Sequence, residues 1–244
     1  MSILLIAGLP FEESFWYAVQ QRLTTQGYSS HTWVLCKNHG EINQQLDDLH
    51  QFITEHSIDT IVAHGLSVPL AIETFKASTC QQLILSNGFL TTKVGLSQWI
   101  LPRLLNIPCT LKRELLRPSI LLPVLASSAA FRRLVINPYV MDRETIETLS
   151  KDLLNNTNYR KNVSTYLREL NSWSLPKKLD GVIHAIWGDH DLLFPVEQLE
   201  FLSAIENIDL HTHLIEGGAH FHPVERPWSL ADQIASVVKT NLGH

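Results

Sequence analysis

Two residues of this 244-residue chain, Asp191 and His220, have types and settings that could do proton chemistry. Each lies in a loop directly after an apolar run: GDHDLLFP over residues 188–195, and GGAHFHPVERP over residues 217–227. An imidazole used as a base needs a partner on its far nitrogen, to fix its tautomer and stabilise the cation it becomes, and a carboxylate supplies both. A pair held that way can take a proton from a substrate or return one. Upstream, residues 60–71 (TIVAHGLSVPLA) read as a β-branched strand that turns sharply into a helix, with small residues around the bend. Such a turn can hold a reactive side chain above a sheet.

Two registers compete at that bend. With Gly65 at its apex, Ala63 is the small residue two before it, and Ser67 and Val68 fall where small side chains ease helix–strand packing. With Ser67 at the apex, Gly65-Leu66-Ser67 supplies half of a glycine–x–serine motif, but Pro69 then stands where a second glycine is usual. That register also sinks His64 deeper into the strand, where an imidazole without partners is costly. Strand length favours the first register. Glycine offers no nucleophile, so covalent acyl transfer would need Ser67, whose plainer reading is a helix N-cap.

The elements that must position these loops alternate. Apolar runs at residues 3–7, 31–35, 60–64 and 83–86 predict strands, and residues 12–26, 41–56 and 69–75 predict the intervening helices. The alternation resumes with a strand at 182–187, a helix near 196–205, a strand at 210–215 and a final helix over roughly 229–242. Strand–helix alternation predicts an α/β fold with a mostly parallel sheet of about six strands, right-handed crossovers and helices on both faces. Between the fourth and fifth strands, proline-cut helical pieces carry many apolar residues, among them Trp99, Ile100, Leu104, Leu105, Ile120, Leu121 and Leu122. We read residues 1–92 and 179–244 as the core and 93–178 as a helical cap over the carboxyl ends of the strands, where open α/β sheets bind ligands.

Composition narrows the classes. Hydrophobic residues are 45% and charged residues 18%, an ordinary globular balance. A formal charge of −5 at pH 7 argues against a nucleic-acid surface, which would need a basic excess. The cysteines Cys36, Cys80 and Cys109 form neither a disulfide framework nor a CxxC site, which fits a reducing compartment and inert thiols. No run reaches the roughly 18 apolar residues of a membrane span, and the amino terminus lacks a basic signal-peptide region. The expectation is a soluble, cytoplasmic protein that needs no cofactor and engages neither membrane nor nucleic acid. His211 and His213 share a strand face, and His220 with His222 makes a second H-x-H, but no carboxylate or cysteine completes either pair, so no metal site is expected. His190 reads as a bystander on the acid loop.

The order of these loops (bend, acid, histidine) resembles that of the α/β-hydrolase superfamily in its capped form. Gly188, Asp191 and Pro195 match the family's G-x-x-D-x-x-x-P pattern; His220, Glu225 and Pro227 match its histidine-loop pattern, with Ala219 for the usual glycine. Gly8-Leu9-Pro10-Phe11 resembles the oxyanion loop, although Ala7 replaces its histidine. The resemblance implies an α/β-hydrolase fold, a catalytic pair Asp191–His220, and oxyanion donors from the backbone N–H groups of Leu9 and of the residue after the bend, Leu66. It also implies a nucleophile, where this chain has Gly65. Three readings follow: a histidine–aspartate enzyme without a covalent step, acting on a small, largely hydrophobic carbonyl compound; an ester or thioester hydrolase using Ser67; and a ligand-binding protein that lost its chemistry.

Overall fold

The computed structural model describes residues 1–9, 11–91 and 155–240, with positions 108, 111, 114, 145, 147, 148 and 151 between them. Six strands form one sheet: β1 Ser2–Ala7, β2 Ser29–Val34, β3 Thr60–Gly65, β4 Gln82–Gly88, β5 Lys178–Gly188 and β6 Glu206–Ile215. Their spatial order is β2-β1-β3-β4-β5-β6, and every neighbouring pair is parallel. The helices are α1 Tyr17–Thr25, α2 Ile42–His56, α3 Val68–Ala77, α4 Thr157–Leu170, α5 Leu199–Ser203, α6 His222–Glu225 and α7 Pro227–Thr240. The expected alternation is therefore present, and the fifth and sixth strands each begin four residues earlier than their apolar runs.

Alternate side chains of the central strands feed two cores. Leu4, Ile6, Ile61, Ala63, Leu83 and Leu85 pack with α2, α3, α4 and α5 on one face. Ile3, Leu5, Val62, Ile84 and Ile186 pack with α1 and α7 on the other. Strands buried on both faces are what continuous apolar runs predict for a parallel sheet. No helix among the described residues is long and apolar enough to cross a membrane.

Most of the proposed cap, including the apolar residues named above, lies outside the described residues. Its end does not: α4 is bound tightly to the core beside the β3–α3 bend. Tyr166, fully buried, donates its hydroxyl hydrogen to the Leu66 carbonyl at 2.7 Å. Asn162 donates to the Cys36 carbonyl at 3.1 Å, and Gly40 lies so close that a Cβ there would come within 2.6 Å of the Asn162 carbonyl. Helix α2 has no side-chain cap from its own N-cap residue Glu41; instead Glu169 of α4 accepts from the Ile42 N–H at 2.7 Å. A cap supplied from 127 residues away does a job normally done locally. Glu169→Ala is expected to lower unfolding free energy by about 1 kcal/mol, with Glu169→Gln, which keeps an acceptor oxygen, nearer to wild type. Urea denaturation of the three proteins checks it.

Candidate functional site

β3 ends and α3 begins within three residues, so residue 65 takes a left-handed conformation with φ of 62°. Glycine occupies that region readily; other residues pay about 1–2 kcal/mol for it. The turn is pressed from behind by the loop after β1. A Cβ on Gly8 would stand 2.5 Å from the His64 carbonyl oxygen and 2.9 Å from the Leu66 nitrogen, so only glycine fits. On the other side Phe89 donates its N–H to the Gly65 carbonyl at 3.0 Å, and the β3–β4 register slips between His64 and Gly65.

The structure brings Asp191, His220 and Gly65 together. His220 Nδ1 lies 2.9 Å from Asp191 Oδ2, with both side chains buried. A carboxylate can only accept, so Nδ1 carries a hydrogen, and in the neutral imidazole Nε2 is then the nitrogen with the lone pair. That Nε2 faces Gly65: a Cβ built there would lie 3.8 Å from Nε2, 3.9 Å from Cε1 and 3.6 Å from the Gly8 Cα. The register with Gly65 at the apex is the one the chain adopts. Asp191 also anchors its own loop, because its Oδ1 accepts from the N–H groups of Leu193 and Phe194 at 2.8 and 2.9 Å. The loop anchor and the histidine partner are one carboxylate.

Ser67 is not brought to His220. Its hydroxyl is buried and lies against the carbonyls of His64 (2.8 Å) and Ile6 (3.0 Å), while it accepts from the His64 N–H at 3.2 Å. It occupies the N-cap position of α3 without making a side-chain cap bond. Its role is to tie the bend to β1.

His64 corrects one step of the sequence argument. Its burial weighed against the Ser67 register, yet it is buried in the register adopted, with neither ring nitrogen in a hydrogen bond of good geometry, although the Ser86 backbone lies on that side. Aromatic contact takes the place of polar partners: its ring centroid is 5.0 Å from Phe15, 6.2 Å from Trp16 and 4.8 Å from His220. Burial, then the neighbouring His220 and His222, push its pKa well below the ordinary value, so it stays neutral. His222 is likewise neutral, pushed down to about 4, chiefly by burial. Its Nδ1 faces the Ala219 carbonyl at 3.2 Å and so donates, leaving Nε2 to accept from the Ser86 hydroxyl at 3.0 Å. Phe194 and Phe221 wall the His220 ring at 5.2 and 4.8 Å.

Asn87, which the sequence did not single out, joins the loops. In a left-handed conformation (φ 43°), it accepts from the Gly188 N–H at 2.7 Å and donates to the Ala219 carbonyl at 3.1 Å. It thus bridges the end of β4, the start of the acid loop and the residue before His220. An asparagine in a strand-ending S-N-G was the available signal, since that side chain tolerates positive φ. His190 is exposed, its Nδ1 2.6 Å from Asp189 Oδ1, and takes no part in the pair. His211 and His213 do share a face, and His184 of β5 stacks on them with ring centroids 4.8 and 5.4 Å away. Among the described residues, no group of three or more His, Cys, Asp or Glu is placed to hold a metal ion.

Comparison with solved structures gives the fold. The chain is similar to MenH from S. aureus, with 14% identity, 98% of this chain and 94% of that one covered, and a TM-score of 0.71. It is similar to the epoxide hydrolase VrEH1 from Vigna radiata, with 16% identity, coverage of 98% and 91%, and a TM-score of 0.70. A thermophilic esterase from Thermogutta terrifontis gives 16% identity, coverage of 98% and 90%, and a TM-score of 0.67. No protein-family model matches the chain, and no curated protein matches it by sequence. These likenesses show an α/β-hydrolase fold, as the loop order implied.

Two outcomes follow from the geometry. Asn87→Ala leaves the buried Gly188 N–H unpaired, whereas the Ala219 carbonyl keeps its bonds from His222, and the change is expected to cost about 1–3 kcal/mol, read as a lowered denaturation midpoint in urea. His64, His184 and His222 are all depressed in the folded state, the last two to about 4. The unfolded chain, with histidines near 6.5, therefore binds more protons between about pH 6.5 and 4, and stability falls as pH drops through that window. Urea midpoints that decline from pH 7 to pH 5 agree; midpoints that hold or rise do not.

Proposed function

We propose that the chain, on its α/β-hydrolase fold, is an enzyme in which His220, oriented by Asp191, acts as general base and acid on a small, largely hydrophobic carbonyl compound without a covalent serine intermediate. The observation that carries this reading is the placement of His220 Nε2 opposite Gly65. A base with its tautomer set by a buried carboxylate faces the place where substrate atoms would sit, and among the described residues the atoms nearest that place include no hydroxyl. The backbone N–H groups of Leu9 and of Leu66, two residues before α3, would face negative charge developing on the substrate oxygen. One such donor is worth on the order of 3 kcal/mol in a transition state. The largely hydrophobic substrate is proposed from the apolar residues of the stretch read as a cap, whose last helix, α4, packs on the core instead. The Ser67 route is disfavoured by that hydroxyl's bonds to the backbone of His64 and Ile6. The retained Asp191–His220 contact speaks against a binder that has lost its chemistry.

A panel of phenyl and thiophenyl esters of short acids tests the reading. Turnover is expected that falls about 100-fold or more in His220→Ala, continues in the presence of a fluorophosphonate, and leaves no adduct in the intact mass. A fluorophosphonate adduct mapped to Ser67 contradicts it. So does binding of these esters with turnover unchanged in His220→Ala.

A further inference from the structure

Gly65 stands at the tightest point of the bend, yet the space on its side-chain face is open in a specific way. Among the described residues, the nearest atoms to a Cβ built there are at 3.6, 3.8 and 3.9 Å, ordinary contact distances, whereas at Gly8 and Gly188 the corresponding distances fall to 2.5 and 2.3 Å. Glycine at 8 and 188 is required because backbone fills the space. Glycine at 65 is not: the strain of φ 62° is modest, and a small side chain would fit. What bounds the position is the lone-pair nitrogen of a base and the backbone of the loop after β1. A hydroxyl one bond beyond that Cβ could come within about 3 Å of Nε2, the distance at which a base takes a proton.

We propose that this position seats a small diffusible nucleophile, water or a hydroxylamine-sized oxygen or nitrogen compound, as the second substrate, and that the first substrate is an ester whose acyl group is transferred to it directly. The inference rests on the function proposed above and narrows it to one reaction class. The nucleophile's O–H or N–H proton passes to His220 Nε2 as its oxygen or nitrogen bonds to the ester carbonyl carbon. The carbonyl electrons move onto oxygen. On collapse the carbon–oxygen bond to the alcohol breaks, and the leaving alkoxide takes the proton back from Nε2. With water the products are a carboxylic acid and an alcohol; with hydroxylamine, a hydroxamic acid and the same alcohol. His220 ends as it began, and no redox partner is needed. Direct transfer has a kinetic signature. Because the nucleophile takes part in the step that frees the alcohol, alcohol release must rise with its concentration. A covalent intermediate would free the alcohol beforehand.

The experiment follows phenol release from phenyl acetate with and without hydroxylamine, in wild type, His220→Ala, Gly65→Ala and Gly65→Ser, with thermal melts confirming that each variant folds. The expected results are that wild-type phenol release is His220-dependent and rises linearly with hydroxylamine, giving acethydroxamic acid. Gly65→Ala, whose methyl occupies the seat, is expected to lose about 100-fold or more. Gly65→Ser is expected to give a phenol burst and an acetyl group on residue 65, and to become reactive toward a fluorophosphonate. Wild-type activity retained in Gly65→Ala but lost in His220→Ala overturns the seat and leaves the general-base reading standing. A folded Gly65→Ser that neither acetylates nor reacts with the fluorophosphonate also overturns the seat. A wild type with no His220-dependent phenol release, with or without hydroxylamine, overturns both.

Discussion

At the carboxyl edge of this sheet, backbone meets backbone with no room between for a side chain. Gly8 lies against the His64 carbonyl and the Leu66 nitrogen, and Gly188 lies against the Gly218 carbonyl, which a Cβ would approach to 2.3 Å. These contacts fix the relative heights of the loops after β1, β3, β5 and β6. The His190 N–H donated to the Gly218 carbonyl at 2.9 Å locks acid loop to histidine loop, and Asn87 ties both to β4. The Asp191–His220 contact is a consequence: 29 residues apart in sequence, the two side chains meet because their loops can approach this closely.

Burial then sets the electrostatics. His64, His220 and His222 crowd together, and like charges in a dry environment exclude one another. The two without a carboxylate are held neutral by burial, and Asp191 contacts the third. Phe194 and Phe221 pack on the His220 ring, and Phe15 packs on His64 beside it. In the function proposed, a pair held this way would have its tautomer decided before any substrate arrives, which is the preorganisation that makes such groups effective.

The fold was legible because its signals are local and repeated. Apolar runs alternating with amphipathic stretches marked four of the five connections between successive strands, and acid and histidine patterns placed Asp191 and His220 in loops that do meet. The bend was legible through strand length and small residues, which selected Gly65. The cost of burying His64 was a faulty reason for the same choice. A penalty for an unpartnered imidazole cannot be read from one sequence when Phe15, Trp16 and His220 converge on it from distant elements. Asn87 and Tyr166 were missed for a related reason. Their partners lie about 100 residues or more away, and nothing in the flanking sequence marks a residue whose work is to hold other loops. Likewise, Glu169 reads locally as an ordinary helical glutamate, and only the tertiary structure shows it capping α2.

The central claim is that Asp191 holds the imidazole hydrogen of His220 on Nδ1, so that the nitrogen facing Gly65 is the one that can take a proton. Nitrogen-15 NMR of the imidazole at neutral pH measures this most directly. The account predicts a hydrogen-bonded proton on Nδ1 and an unprotonated Nε2, with that preference weakened in Asp191→Ala. A wild-type ring protonated on Nε2 and bare at Nδ1 would contradict it, because the nitrogen beside Gly65 would then have no lone pair with which to take a proton.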